Sequence, residues 1–193
     1  ENTFRRNLGR VLSHWPALAG LLVGVMFSAA NETINLIFGV WIEDQFGLNF
    51  AALTAASVVI GISELGGEIS TGIWLDKIGK RRMIWIFMGL NSLAALLLPL
   101  TGGILGWAMA GLGFFYITFE VVIVSTLTLM SGVMPSSRAT MLAVTVAGFS
   151  LGRMLGDLVA PGLYGISFWV SCLTAVALNG IAAILLTQVR VEE

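Results

Sequence analysis

A short basic loop, Gly72–Arg82, stands between two stretches that are nearly pure hydrocarbon, and that contrast constrains the fold more than any other feature. Lys77, Lys80, Arg81 and Arg82 supply much of the chain's small stock of ten Lys and Arg residues. Elsewhere the chain is too apolar to cover a water-facing surface. It is 57% hydrophobic and 11% charged, with a mean hydropathy of +0.93, whereas a soluble domain carries about 25% charge. A soluble helical core would have no polar face to cover it. An all-α membrane protein is expected.

A helix crosses the bilayer with about 20 apolar residues, and lipid leaves its backbone no outside hydrogen-bond partner. Six such spans are predicted, at 17–41, 51–75, 83–100, 104–130, 139–161 and 167–188. The breaks fall at Glu43-Asp44-Gln45, the basic loop, Thr101-Gly102-Gly103, Pro135-Ser136-Ser137-Arg138, and Pro161-Gly162 to Gly165. Residues 1–16 then form an approach segment, 17–188 the membrane domain and 189–193 a tail. The approach segment is either a linker or an amphipathic surface helix. Trp15 and Trp41 bracket the first span like interfacial anchors. The opening residues lack the apolar core of a signal peptide, and a start at Glu1 without Met suggests a trimmed or partial chain.

Orientation follows from the cations. With six spans, Arg5, Arg6, Arg10, Lys77, Lys80, Arg81, Arg82, Arg138 and Arg190 all collect on one side, and only Arg153 lies inside a span. Positive residues mark the cytoplasmic side, so both termini are expected there, in a plasma (inner) membrane. A single cysteine, Cys172, excludes a disulfide framework or a cysteine metal cluster, and a single histidine, His14, excludes a multi-histidine site. No cofactor, metal or nucleic-acid partner is expected. The helix-two run Gly61 to Gly72 follows no strand and is no nucleotide fingerprint.

The loop resembles the signature between the second and third helices of each half of major facilitator superfamily transporters. That pattern is Gly, three residues, Asp, a basic residue, one residue, Gly and a basic pair; Gly72, Asp76, Lys77, Gly79, Lys80 and Arg81 fill it. The resemblance implies one six-helix half bundle built as a 3+3 inverted repeat, by its leading basic segment and short tail the carboxy-terminal half. It implies a second six-helix half as partner, from the same transporter or a second copy. It also implies that Asp76, Lys80 and Arg81 gate by bridging helix ends between halves. Read from the residues alone, Asp76 can cap a neighbouring helix, Ser136 or Ser137 can cap helix five, and the cations can serve topology only.

Ionisable residues inside a membrane are costly and mark function by default. Placed from the span midpoints, Glu32, Glu64, Glu120 and Arg153 lie within about 5 Å of the midplane, and Glu68 and Asp157 within about 11 Å. Five acids face one base. Desolvation and mutual repulsion oppose full ionisation, so some acids are expected to hold a proton, bind a cation or hydrogen-bond neighbouring helices. Ser28, Asn31, Glu32 and Asn35 form one polar stripe on the first helix, which faces either a cavity or another helix. Gly113, Tyr116 and Glu120 share a face of the fourth helix. Arg153 has three open pairings: Asp157 one turn away, Glu120 or Glu64, with an anionic substrate as a further taker of its planar fork.

Gly148, Gly152 and Gly156 form a small-residue stripe that serves either an interface between halves or packing within this one. Gly148-Phe149-Ser150-Leu151-Gly152 matches a serine-nucleophile pattern that needs a strand–turn–helix and a nearby base; His14 lies about half a membrane away. The expected function is half of a secondary transporter moving a small organic solute by alternating access, coupled to protons through Glu32 or Glu120. The competing readings are an isolated or self-associating six-helix domain with a structural role, and, least favoured, an intramembrane serine protease. No other enzymatic activity is expected.

Overall fold

A computed structural model describes residues 2–47 and 50–189, with side chains from residue 6 onward. Among the described residues the secondary structure is entirely helical. A surface segment α1 (Asn2–Ser13) leads into α2 (Trp15–Asn35), which a two-residue turn separates from α3 (Phe38–Phe46). Then follow α4 (Phe50–Ile78), α5 (Lys80–Leu97), α6 (Leu105–Met130), α7 (Arg138–Ile166) and α8 (Phe168–Leu186). Six stretches are long and apolar enough to cross a membrane, α2 with α3 forming the first. This is a multi-pass, all-α membrane protein in its composition and helix lengths. Of the basic set, the side chain of Arg5 and all of Arg190 lie outside the described residues, as does the tail after Val189.

Several expected boundaries move. The basic loop is barely a loop: α4 runs through Asp76 and Lys77 to Ile78, and α5 starts at Lys80. Only Gly79 is non-helical, with φ of +90°, a conformation that carries a steric penalty for any side chain with a Cβ. Glu43-Asp44-Gln45, expected as a break, is helical, and the chain turns at Gly47, φ +80°. Pro161 does not end α7, which continues to Ile166. Ser137 occupies the N-cap position of α7, but its hydroxyl makes no cap bond and finds no partner. Asp76 caps no helix either: the N-cap of α5 is Gly79, with no side-chain cap. The approach segment is helical, with Val11 buried and Arg6 and Arg10 exposed. Trp15 is exposed as an anchor would be, whereas Trp41 is buried and stacks on Phe168 at 4.5 Å.

Packing follows a simple scheme. Helix α2 lies along α7 and α8; α6 lies along α4 and α5; α5 also meets α8. The α2 and α6 helices touch over a short stretch, where Phe27 stacks on Phe119 at 5.3 Å. Besides a small apolar cluster at Leu75, Met83 and Val121, two large ones form, one around Leu21, Phe27, Phe119 and Met130, the other around Ile34, Trp41, Leu98 and Phe115. Between them along α2 sits a polar layer that includes Ser28, Asn31, Glu32 and Thr33. The outer faces of α4 and α7 remain largely uncovered.

Candidate functional site

Close helix approach creates the polar layer's geometry. A Cβ at Gly156 would stand 2.6 Å from both the Ala29 carbonyl oxygen and the Glu32 Cβ. At Gly152 it would collide with the Val25 carbonyl and the Ser28 side chain. The glycine stripe therefore belongs to packing within this bundle, α7 on α2, and it brings the polar face of α2 against α7. On the other side a Cβ at Gly67 would stand 2.7 Å from the Glu120 Cβ and 2.9 Å from the Ile117 carbonyl oxygen. Gly113 of α6 faces Ser63 and Val59 of α4 in the same contact.

Within this frame a continuous polar chain crosses three helices. Arg153 Nε of α7 lies 3.5 Å from Glu32 Oε1 of α2. Asn35 Nδ2 donates to Glu32 Oε2 at 2.6 Å. The Tyr116 hydroxyl of α6 donates to Asn35 Oδ1. Both carboxylate oxygens of Glu32 are thus engaged, and Glu32 is almost wholly buried, at 6% side-chain exposure against 56% for Arg153. This corrects the expected pairings of Arg153: its ion pair is with Glu32, not with Asp157, Glu120 or Glu64. The α2 stripe is likewise not uniform. Ser28 and Glu32 abut α7, and Asn35 reaches toward α6. Ser28 and Asn31 are buried, with Ser28 Oγ and Asn31 Oδ1 lacking partners.

Glu120 and Glu64 are half-buried, and Glu68 and Asp157 are exposed. Among the described residues none of these four carboxylates forms an ion pair. The signature residues divide. Arg81 donates to the carbonyls of Leu186 and Thr187 at 3.2 and 3.0 Å, so it caps the C-terminal end of α8 within this bundle. This redirects one expected gating residue toward a local role. Gly72, Asp76 and Lys77 are exposed and Lys80 is half-buried beside Gly79, with no side-chain hydrogen bond or ion pair described for Asp76, Lys77 or Lys80.

Sequence reasoning missed a second polar centre. Asn179 Nδ2 of α8 donates to Asn91 Oδ1 of α5 at 3.0 Å and to Ser92 Oγ at 3.1 Å. Asn91 Nδ2 in turn donates to the Phe115 carbonyl at 3.0 Å and to Thr118 Oγ1 at 3.2 Å, which ties α6 in. A signal was present: two asparagines inside apolar spans, 88 positions apart. Glu32 and Glu120 share that separation, and Gly67 with Gly156 and Glu64 with Arg153 match it to within one residue.

Ser150 donates to the Val146 carbonyl of its own helix at 3.2 Å, in an α-helix and not at a strand–turn–helix. Among the described residues no three His, Cys, Asp or Glu side chains converge on a metal-sized site. Comparison with models of known protein families, with curated proteins and with solved structures finds no match to this chain.

Proposed function

We propose that this chain is one six-helix half of a secondary transporter of the major facilitator type, moving a small organic solute by alternating access with proton coupling. The observation that carries the reading is the symmetry of the packing scheme. Exchange the first three spans for the last three, in order, and the contacts return to themselves. The pair α2 on α7 becomes α6 on α4; α2 on α8 becomes α6 on α5; α5 with α8 and α2 with α6 map onto themselves. The recurrent residue separation of 88 falls on the same exchange. That is the arrangement expected of a 3+3 inverted repeat, in which transporters place cargo and coupling ions near the bilayer midplane at the repeat interface.

The Tyr116–Asn35–Glu32–Arg153 chain links α2 to α6 and α7, as a site at such an interface would. Its exposed member, Arg153, is on α7, which with α4 stays largely uncovered; there a second six-helix half would dock, either the rest of a longer transporter or another copy. Glu32 is the first candidate for the coupling carboxylate and Glu120 the second, while Asp157 and Asn31 lie close to the same face. Asp76 and Lys80, which have no ion pair among the described residues, remain available to bridge to the other half. The basic ends are assigned to the cytoplasm of a plasma membrane by their cations. The experiment is flux in proteoliposomes holding the complete transporter, with an imposed proton gradient and a panel of solutes. Glu32→Gln should abolish gradient-driven flux while the protein stays folded in detergent; undiminished flux would remove Glu32 from the mechanism. Asp76→Asn should shift access between the two faces, read by cysteine labelling.

A further inference from the structure

Arg153 is placed for more than its ion pair. Its Nε lies 3.5 Å from Glu32 Oε1, and its side chain is 56% exposed. The guanidinium keeps a free edge of N–H donors, and a cation in a membrane span needs a partner for them. Beside it opens a recess of about 210 Å³, lined by Ser28, Ile123, Val146, Phe149, Ser150 and Arg153. Ser28 is fully buried there, and its hydroxyl has no hydrogen-bond partner. One buried unpartnered hydroxyl, one under-used guanidinium and three apolar walls make a site for an acid group on an apolar body. A recess this size is smaller than the about 300–1,000 Å³ of a whole drug-sized site, as suits a headgroup whose remaining surface meets the second half.

We propose that this recess is a carboxylate subsite for the cargo, in which Arg153 is shared between the cargo carboxylate and Glu32. The inference rests on the carrier reading and names its substrate class, an organic acid. Charge accounting sets the mechanism. Around Glu32, α7 presents Arg153 and Asp157, α6 presents Tyr116, and α8 carries no charged residue. The cations Arg6 and Arg10 of α1 precede the start of α2, about 25 Å along that helix from Glu32. An anion that simply added itself would meet two acids, Glu32 and Asp157, and one base. Instead it replaces Glu32 on the guanidinium, and the Glu32 carboxylate takes a proton from water on the loading side. One anion and one proton enter together, and the charge beside Arg153 is unchanged. On the far side Glu32 gives up the proton to water and recaptures Arg153 as the cargo leaves.

The test is ligand-induced thermal stabilisation of the purified protein in detergent, at mildly acidic and mildly alkaline pH. The probes are acetate, propionate and benzoate, with benzamide as the uncharged isostere and benzylamine as the cation. At least one carboxylate should stabilise the protein, more strongly at acidic pH, and its uncharged isostere should not. Arg153→Gln should weaken that binding about tenfold or more, the size of one charge-assisted hydrogen bond. Arg153→Lys should fall between, for want of the planar fork, and Ser28→Ala should weaken binding without unfolding the bundle. Glu32→Gln should bind the carboxylate more tightly than the wild type and lose the pH dependence. No response to any carboxylate, an equal response to benzamide, or pH dependence retained in Glu32→Gln would overturn the subsite. If carboxylates fail while a proton gradient still drives an uncharged solute through Glu32, the carrier reading stands and the subsite falls. If Arg153-dependent binding is found but no gradient drives any solute, the subsite stands and the carrier reading falls.

Discussion

In the α2–α7 contact, Glu32 sits over Gly156 and finds Arg153 one turn away; in the α6–α4 contact, Glu120 sits over Gly67 and finds Glu64 at the matching position. The packing device is the same on both sides: a glycine lets the neighbouring backbone approach, and an acid fills the space above it. The charge is not the same. One acid pairs with a base and an amide and is buried; the other has acids near it, Glu64 and Glu68, and stays half-buried. Backbone approach therefore fixes where the two carboxyls stand, and a single residue identity, Arg against Glu, makes them unequal. On the proposed carrier reading, one group held against a cation and one without such a partner would be two carboxyls to use differently.

The largest expected effects break the shared packing. Gly152→Val forces a side chain into the Val25 carbonyl and should cost about 3 kcal/mol or more, since backbone cannot step aside as a flexible side chain can. Size-exclusion profiles in detergent should show loss of the folded species. Gly67→Val should behave alike, and Gly61→Val, which meets nothing within 4 Å, should not. Next come the charges. Arg153→Gln leaves Glu32 buried without its counter-charge and should cost about 1–2 kcal/mol, discounted because the guanidinium faces outward. The double change with Glu32→Gln should recover much of it. Glu120→Gln should instead leave the melting temperature unchanged or raised, because it removes one of three neighbouring acids; a fall as large as that of Arg153→Gln would show that Glu120 has a cationic partner after all.

Smaller effects probe where the two sides meet. Asn179→Ala removes two hydrogen bonds between α8 and α5 and leaves Asn91 Oδ1 unanswered, a loss of about 1 kcal/mol. Asn91→Ala should lose at least as much, because Asn91 also holds α6; equal tolerance of both would show that the asparagine pair is incidental. Gly79→Ala should cost about 1 kcal/mol through its positive φ, readable as a small shift of the melting temperature.

How far these differences could be foreseen depends on range. The six spans were legible, because bilayer thickness demands a fixed length of apolar helix and lipid forbids an unpaired backbone. The Gly72–Arg82 junction was legible as a motif and not as a shape: hydropathy registers Lys80–Arg82 as a break, while the backbone needs only Gly79 to turn. Trp41 looked like an anchor by its place at a span end, yet α8 brings Phe168 to cover it. The partner of Arg153 was hidden for the same reason. Rotation of α7 about its axis is set by Gly152 and Gly156 against α2, a contact far apart in sequence, whereas the local rule offered only Asp157 on the same helix as one of several unranked partners. The spacing of Gly152 and Gly156 does match that of Ser28 and Glu32, so the register was written in the chain, without a sign of which helix it served.

The central claim is that the face shared by Arg153, Asp157, Glu64 and Glu68 meets water inside the membrane rather than lipid. Single cysteines in a Cys172→Ala background test it most directly, labelled in membranes with a charged, membrane-impermeant thiol reagent. Asp157→Cys, Glu68→Cys and Glu64→Cys should react from at least one side, while Leu93→Cys and Ile184→Cys, on the outer faces of α5 and α8, should stay unreactive. Silence at all three acidic positions, or equal reaction at the two outer ones, would contradict the account.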